Sequence, residues 1–553
     1  MRKPLFILIA IGVLAMPTLG QVTKAKPKSP GLSWQAEGKN GAVCGGGEEA
    51  VAAGLAVLKK GGNAADAAVT SLFALSVTDS KRYCFGGEVP IMVYDAKRNV
   101  VELICGLGVA PKLATREFFT KRKDGIPEKG VESAAVPGMV DGALTALDRF
   151  GTITFAQAVQ PTLDLLDQPK APWHANLART IRRMIDAEKQ SPHDRKRGLR
   201  LVADEFYRGQ TAREIDAWSR ANNGLLRYTD LATHVTRIED PLAVDYRGYT
   251  VYKCGEWNQG PYLLQTLRLL EGYDLKKMGH NQPDTIHVIT EAMKLALADR
   301  DVYYADPLFV DVPTEALLSK KYADLRRPLI DMKSASLVRR PGDPRLMTAL
   351  LKNPPREGGA GSPDMDTTTC VAADKFGNVV AATPSGFNGV VAGKTGIQLG
   401  TRLVSLNIWP GHPNCIEPGK RPRITLTPGI VFKAGKPVMA ISIAGGDLQD
   451  QTGLQVMLNV LDFGMTPAEA VTAPRFATNH HLGSFRQKAP ELGSLIVYPE
   501  FSNDTIADLA RRGHKITATK KHLAEPSVIV IDRRTGLLRA AGDPRAKRHA
   551  GAY

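Results

Sequence analysis

The sequence has 553 residues, with 72 Lys and Arg against 56 Asp and Glu, which gives a formal net charge of +16. Apolar residues make up 43% and charged residues 23%, values typical of globular proteins rather than disordered or collagen-like chains. The length is sufficient for one very large core or several smaller ones. A fibre, a protein with many membrane spans and a small disulfide-stabilised scaffold are therefore excluded.

The first twenty residues have the pattern of an export signal. Arg2 and Lys3 precede a short apolar run at 5–16, and small residues occupy positions −3 and −1 of a possible cleavage after Gly20. The run is short for a bilayer core of ~30 Å. We predict a signal peptide at 1–20 and a periplasmic or secreted mature protein without a stable membrane span. An uncleaved N-terminal anchor is the alternative.

Apolar periodicity predicts mainly helices in the first part of the chain. The predicted elements are, in chain order, two helices within 48–76, a hairpin over 91–104, and helices within 136–168 and 284–305. Gly61 and Gly62 would end the first helix, and Asn63 would cap the second. Asp284 is the expected cap of the last helix.

A polar segment rich in Pro and Gly, at 353–366, separates this helix-rich part from a strand-led part of α/β character. Its composition predicts a flexible linker. The elements predicted beyond it are strands at 367–373, 379–383, 429–433, 437–443 and 527–531, and helices at 448–462, 467–472 and 503–512. The sequence has no recognisable internal repeat.

Residue types that bind nucleic acids or metals are present without the required spacing. Basic residues concentrate within 182–200, but no aromatic residues are interleaved with them, so this region is predicted to be a solvated basic surface. The six cysteines occur singly, and no Cys or His pair supplies a metal ligand set. We expect no metal or organic cofactor and no nucleic-acid partner.

The run Asp366-Thr367-Thr368-Thr369 begins a predicted strand directly after the linker. Threonine is common in strands, so the residues by themselves favour an ordinary edge strand. The other interpretation is a latent N-terminal nucleophile. Cleavage before Thr367 would free an α-amine that can act as the base for the hydroxyl of the same residue. A flexible linker would let the new chain terminus leave the site.

Nine stretches spread over the chain form a larger pattern. They are GGNAADAAVTSLFALSVTD (61–79), ESAAVPGMVDGALTALDRFG (132–151), YRGYTVY (246–252), EAMKLALADRDVYYADP (291–307), TTTCVAADKFGNVVAAT (367–383), KRPRITLTP (420–428), AGG (444–446), APRF (473–476) and DPR…GAY (543–553). In this order the chain resembles the γ-glutamyltranspeptidase family of N-terminal nucleophile hydrolases. The resemblance implies an α+β fold, a four-layer αββα sandwich, built from two subunits of one precursor.

The resemblance places the cleavage site between Asp366 and Thr367. The large subunit would then be 21–366, ending in the linker 353–366, and the small subunit would be 367–553. The two subunits are expected to remain associated after cleavage.

The catalytic part of the family pattern is retained. Thr367 lies seven positions before Asp374, where the family has its nucleophile, and Ser385 keeps a hydroxyl where the family has a threonine. Gly445 and Gly446 match the glycine pair whose backbone N–H groups form the oxyanion hole of the family. The resemblance therefore implies that Thr367, Ser385, Gly445 and Gly446 carry the catalysis.

The part of the pattern that recognises glutamate is not retained. Leu107 occupies the position of the arginine that binds the α-carboxylate, and it cannot form a bidentate charged pair. Ile424 and Thr425 replace two serines, so one hydroxyl is lost. The family residues that hold the α-ammonium group correspond to Phe387, Arg402 and Ser405.

These departures predict a self-processing amidohydrolase or acyltransferase that acts on a small-molecule amide or peptide with a different acyl group. Arg402 could pair with a substrate carboxylate, while Leu107, Phe387 and Ile424 would suit an apolar acyl chain. Two alternatives remain open. One is a genuine γ-glutamyl hydrolase or transferase acting on glutathione-like donors, and the other is a non-catalytic periplasmic scaffold on the same fold.

Overall fold

The computed structural model describes residues 32–168, 170–352, 367–386 and 389–553, together with the single residues Met1, Pro354 and Gly358. The predicted signal peptide, Asp366, Phe387 and most of the predicted linker lie outside the described residues. Gly31–Tyr553 belongs to one unit of the chain.

Most of the described strands lie after residue 367. They are β1 (Gln35–Gly38), β2 (Gly41–Gly45), β3 (Tyr83–Asp95), β4 (Val100–Gly106), β5 (Arg237–Glu239), β6 (Leu242–Tyr246), β7 (Tyr249–Lys253), β8 (Cys370–Asp374), β9 (Val379–Ala382), β10 (Ser385–Gly386), β11 (Val390–Val391), β12 (Gln398–Leu399), β13 (Gly429–Lys433), β14 (Lys436–Ala444), β15 (Phe476–Ala477), β16 (Ser494–Val497), β17 (Lys515–Ala518), β18 (Glu525–Asp532), β19 (Leu537–Gly542) and β20 (His549–Ala552).

The described helices lie mainly before residue 330. They are α1 (Glu48–Lys59), α2 (Ala64–Thr78), α3 (Arg116–Thr120), α4 (Met139–Phe150), α5 (Phe155–Leu166), α6 (His174–Glu188), α7 (Arg195–Tyr207), α8 (Gln210–Ala221), α9 (Tyr228–Ala232), α10 (Pro261–Leu270), α11 (Leu275–Met278), α12 (Pro283–Tyr303), α13 (Thr314–Leu318), α14 (Lys320–Arg326), α15 (Leu448–Leu461), α16 (Pro467–Thr472) and α17 (Asn503–Arg511). Short 3₁₀ turns occur at Val131–Ser133, Arg327–Leu329, Gly393–Thr395, Arg402–Ser405 and Pro544–Ala546.

The N-termini of α2 and α12 test the capping residues that the sequence predicted. Asn63 caps α2 as predicted: its side chain accepts from the Asp66 backbone N–H, and the Asp66 carboxylate accepts from the Asn63 N–H, each at 3.0 Å. The expectation for Asp284 was wrong, because α12 begins one residue earlier with Gln282 at the N-cap position. Asp284 lies in the first turn, where a negative charge still interacts favourably with the helix dipole.

Two large sheets form the centre of the fold. The first has the order β11-β12-β3-β9-β8-β2-β20, with β10 and β4 also paired to β3 and β5 paired to β4. The second has the order β1-β19-β18-β14-β13-β7-β6, and β15, β16 and β17 form a separate small sheet. Alternate residues of β8 face opposite sides: Val371 belongs to an apolar cluster with Ile430 and Ile529 of the second sheet, whereas Cys370 and Ala372 pack with the helices.

Helices cover the outer face of each sheet. The first sheet shares an apolar cluster with α1, α2 and α4 to α8, and the second shares another with α10, α12 and α15 to α17. Both faces of the central strands β8, β9 and β14 are therefore buried, which explains why their sequences are apolar with little alternation. The layers follow as helices, sheet, sheet and helices, and the predicted four-layer αββα sandwich is confirmed.

The predicted division into a helix-rich part and a strand-led part does not separate two folding units. β8 and β9 lie between β2 and β3 in the first sheet, and β13, β14, β18 and β19 lie between β1 and β7 in the second. Segments on either side of residue 367 thus hydrogen-bond to each other in both sheets. Such pairing would keep two pieces together after a backbone cut.

All six cysteines are buried free thiols, as expected for small apolar residues. Among the described residues, no helix combines the length and apolar character needed to cross a membrane.

Buried histidines predict that the fold loses stability in mild acid. Nδ1 of His287 lies 2.8 Å from Nε2 of His514, and burial lowers the pKa of His514 to about 2 and that of His480 to about 3. The rings of His514 and His480 are therefore neutral in the folded protein, but in the unfolded chain they bind a proton below pH ~6.5. We expect each to reduce the free energy of unfolding by about 2 kcal/mol as the pH falls from about 7 to 5.

Urea unfolding of the wild type and of His514→Gln at both pH values measures this effect, and the variant should lose less stability on acidification. His193→Gln is the matched control, because His193 is exposed. An equal loss in all three proteins would contradict the prediction.

Candidate active site

Thr367 lies three residues before the central strand β8, and backbone hydrogen bonds hold the two residues that follow it. The backbone N–H of Thr368 donates to the carbonyl of Pro384 at 3.1 Å, and the carbonyl of Thr369 accepts from the N–H of Gly46 at 3.0 Å. The Thr367 residue is only 2% exposed in the uncut chain, so a substrate can reach its hydroxyl only after a rearrangement.

The two threonines that follow have hydroxyls engaged in structural contacts. Oγ1 of Thr368 donates to Oδ2 of Asp79 at 2.5 Å and accepts from Nη1 of Arg548 at 3.0 Å. Oγ1 of Thr369 lies 2.8 Å from Oγ of Ser527, which joins the two sheets. Thr367 differs, because its Oγ1 lies 3.4 Å from the side-chain amide of Gln449, in the first turn of α15.

Gly445 and Gly446 form a tight turn, called here the glycine turn, between β14 and α15. Their φ angles are +134° and +57°, a backbone conformation that favours glycine. The carbonyls of Gly445 and Gly446 accept from the N–H groups of Leu448 and Gln449 at 3.1 Å, so the turn is continuous with the helix. A helix N-terminus presents N–H groups without intrahelical partners, the arrangement that can stabilise a developing oxyanion.

A buried polar network supports the glycine turn. Nη1 of Arg300 donates to Asp447 at 2.7 Å and to Oε1 of Gln259 at 3.1 Å. Nε2 of Gln259 in turn donates to the carbonyls of Gly446 and Thr425 at 3.3 and 3.4 Å. Although burial disfavours the charged form, the Arg300 guanidinium lowers the pKa of Asp447 to about 2. The turn therefore rests on an ion pair that stays charged at neutral pH.

Sequence reasoning did not single out any of these supporting residues. Arg300 lies inside a stretch that resembled the family, and Asp447 and Gln449 directly follow the AGG segment. The feature of the sequence that could have indicated their role is their position inside or next to motifs that resemble the family. No local pattern, however, indicated that they meet beneath the same turn.

Arg402 is an internal ion-pair partner in the described structure. Its Nε donates to Glu88 at 2.7 Å, its Nη2 donates to Oγ of Ser385 at 2.8 Å, and the residue is 2% exposed. The expected pairing with a substrate carboxylate assumed a guanidinium without a partner. Because Glu88 already compensates the charge, that pairing is unfavourable. The assignment of Arg402 to substrate binding stays a prediction, now limited to its Nη1.

Removal of the Glu88 charge should destabilise the protein strongly. Glu88→Gln leaves the buried Arg402 guanidinium uncompensated, and breaking a buried pair in this way typically costs about 3–5 kcal/mol. Chemical denaturation should show this loss. Asp186→Asn is the control, because Asp186 and Lys189 form an ion pair with side chains 68% and 70% exposed; its effect should be below about 1 kcal/mol. Similar small effects for both variants would contradict the prediction.

Three predicted substrate-binding residues carry a buried polar atom without a hydrogen-bond partner in the described part of the chain. They are Arg402 (Nη1), Ser405 (Oγ) and Thr425 (Oγ1). An unsatisfied buried polar atom costs about 1–3 kcal/mol. Polar groups of a bound substrate would remove that cost, and contact of these three atoms with a substrate stays a prediction.

The apolar residues predicted to line the substrate pocket are not all described, and those that are described are buried. Leu107 and Ile424 belong to the same apolar cluster between the sheets, together with Trp257, and are 3% and 0% exposed. They therefore lie in the interior of the uncut chain, and their contact with an acyl group stays a prediction. Phe387 lies outside the described residues. Among the residues described, no group of three or more His, Cys, Asp or Glu could hold a metal ion.

Comparison with known structures defines the class of protein. A cephalosporin acylase from Bacillus halodurans superposes with a TM-score of 0.78 at 27% identity, over 98% of this chain and 99% of that chain. The sandwich described above is thus the N-terminal nucleophile hydrolase fold. The sequence model of γ-glutamyltranspeptidase matches residues 50–192 and 172–553. The chain therefore belongs to the γ-glutamyltranspeptidase family, and the predicted resemblance is confirmed.

Relatives with two different names are similar to this chain to nearly the same degree. A glutathione hydrolase proenzyme of Escherichia coli K12 is 32% identical, over 99% of each chain. An acylase ACY 1 proenzyme of Pseudomonas sp. SE83 is 31% identical, over 88% of this chain and 89% of the relative. The chain is therefore an enzyme of a family of hydrolases and acyltransferases, and overall identity does not select its substrate.

Proposed function

We propose that the protein cleaves itself between Asp366 and Thr367 and then acts as an acylase, with Thr367 as the nucleophile. The observation that carries this proposal is the position of Thr367. Its hydroxyl contacts the first turn of α15, the helix that directly follows the glycine turn, while the hydroxyls of Thr368 and Thr369 have structural partners. The nucleophile and the oxyanion donors would thus come from adjacent elements.

Self-cleavage and turnover would use the same Thr367 hydroxyl. Oγ of Thr367 attacks the preceding carbonyl carbon, the C–N bond breaks, and the hydroxyl proton ends on the Thr367 nitrogen. That shift of the acyl group from nitrogen to oxygen frees the α-amine. Water then hydrolyses the resulting ester, which restores the Thr367 hydroxyl and leaves a carboxylate on Asp366. In turnover the amine takes the hydroxyl proton while Oγ attacks the substrate amide, and N–H groups of the glycine turn stabilise the oxyanion. The leaving amine receives the proton, and water releases the acyl group.

The acyl group is proposed to be uncharged. A γ-glutamyl group carries an α-carboxylate and an α-ammonium, and both need charged partners. At the positions expected to bind them, Leu107 is apolar and Arg402 is compensated by Glu88. The hydroxyls of Ser405 and Thr425 suit the neutral polar atoms of an amide-linked acyl chain instead. The name of the Pseudomonas relative, an acylase, is compatible with this assignment.

A genuine γ-glutamyl hydrolase or transferase is the second candidate. It is favoured by the similarity to the E. coli glutathione hydrolase proenzyme over 99% of each chain. The two candidates differ in the donor that they turn over.

Mass spectrometry and N-terminal sequencing of exported protein test the proposal. We expect two pieces, of which the smaller begins at Thr367. The cleaved protein is then given matched p-nitroanilides with aliphatic, aromatic and γ-glutamyl acyl groups. Turnover of neutral acyl donors supports the acylase, and turnover of the γ-glutamyl donor alone supports the second candidate. A single uncut chain without turnover would leave the scaffold interpretation.

A further inference from the structure

Gln449 connects the proposed nucleophile to the glycine turn. It lies in the first turn of α15, its backbone N–H donates to the carbonyl of Gly446 at 3.1 Å, and it is fully buried. One end of its side-chain amide lies 3.4 Å from Oγ1 of Thr367. The other end lies between the carbonyls of Thr425 and Ile443. Three segments of the site therefore meet at a single side chain.

Hydrogen-bond chemistry fixes which end of the amide is the oxygen. Two carbonyl oxygens need donors, so Nε2 of Gln449 faces them and donates to Thr425 at 2.8 Å and to Ile443 at 2.7 Å. Oε1 then takes the position 3.4 Å from Oγ1 of Thr367 and can accept its hydroxyl proton in a hydrogen bond. Movement of about half an ångström would bring the two oxygens to ordinary O–H···O distance.

We propose that Gln449 is the positioning residue for self-cleavage, a role that rests on the proposed function of Thr367. Before cleavage the Thr367 nitrogen is part of a peptide bond and cannot act as a base. By accepting the hydroxyl hydrogen, Oε1 directs an Oγ lone pair away from α15 and fixes the rotamer of the side chain. The two carbonyl contacts prevent the amide from turning over.

Gln449 takes no proton in this step, because a neutral amide is too weak a base. The proton still passes from Oγ to the departing Thr367 nitrogen as the new Oγ–C bond forms and the C–N bond breaks. Gln449 contributes orientation, and loss of orientation of this kind can cost up to about a hundredfold in rate.

Gln449→Met tests the role, with Gln451→Met as the matched control. Gln451 is also buried on α15, but its amide pairs with the backbone of Thr478, at 2.8 and 2.9 Å. Cleavage of pulse-labelled full-length chains from cell-free translation is followed by gel, and the melting temperature of each product is measured. We expect Gln449→Met to cleave at least about tenfold more slowly than the wild type, and Gln451→Met to cleave at the wild-type rate.

A wild-type rate for Gln449→Met overturns the proposal, and so does equal slowing by both Met variants. If wild-type chains are not cut before Thr367, the proposed function itself fails, and that result is separate from any effect at residue 449.

Gln449→Glu provides a second test of the positioning role if Gln449→Met does not fold. A protonated Glu side chain can donate to one carbonyl and accept from Thr367, whereas the carboxylate would repel both carbonyls. Cleavage of Gln449→Glu should therefore accelerate as the pH falls from about 8 to 5, relative to the wild type and to Gln451→Glu. A pH profile parallel to that of the wild type overturns the proposal.

Discussion

Replacement of Thr367 by alanine is expected to leave a single uncut chain and to abolish turnover. The variant lacks the oxygen that would attack both the preceding peptide bond and the substrate, and without cleavage no α-amine forms. The loss in kcat should be at least about 10³-fold, since removal of a nucleophile costs several orders of magnitude. Thr367→Ser keeps a hydroxyl and should retain cleavage and turnover at reduced rates.

Thr369→Ala is the matched control for this experiment. It removes a buried hydroxyl two residues away, whose contact with Ser527 joins the sheets, and it should cost about 1 kcal/mol of stability. Cleavage and turnover should remain. Processing of Thr367→Ala at the same peptide bond would show that another residue, or another protein, makes the cut.

Substitution of Gly445 by alanine should have the second largest effect. Its φ of +134° is strained for any residue with a Cβ, and that Cβ would lie 2.8 and 2.9 Å from Cβ and Cα of Ala524. The glycine turn must shift to relieve the overlap, which moves the N–H groups away from the oxyanion. We expect kcat to fall by about 10²–10³, the usual cost of losing one oxyanion donor.

Gly435→Ala separates this effect from backbone strain alone. Gly435 precedes the same strand, β14, with a φ of +71°, and an added Cβ there meets no atom within 4 Å. The control should lose about 1 kcal/mol of stability and keep its activity. Stability is measured by denaturation and activity with the preferred p-nitroanilide. Equal activity losses in the two variants would argue against the oxyanion role.

The internal pair between Arg402 and Glu88 changes how substrate choice can be understood in this chain. The departures from the family pattern suggested that Arg402 could pair with a substrate carboxylate, but its guanidinium is directed to Glu88 and Ser385. A positive charge at a family position is therefore insufficient to predict carboxylate recognition. What matters is whether the charge has a partner inside the protein, because a compensated charge gains little from a second carboxylate.

Local elements were predicted well because their signals lie within a few residues. The helix at 467–472 has the bounds of α16, where Thr466 and Glu469 form a reciprocal cap. The hairpin over 91–104 follows from two apolar runs and a polar turn, and it forms β3 and β4. Asp284 shows the limit of such signals, because several polar residues near a helix start can serve as the cap and the backbone selects one.

Motifs along the sequence were sufficient to identify the family, because each motif is read over neighbouring residues. The family resemblance in turn implied the layered fold and the candidate nucleophile. Which polar groups meet is visible only in the folded chain. Arg402 and Glu88 are 314 residues apart along the chain, and Thr367 and Gln449 are 82 apart. Pairing over such separations depends on strand order and on the rotation of each helix. No local pattern specifies either, since many arrangements would bury the same apolar faces.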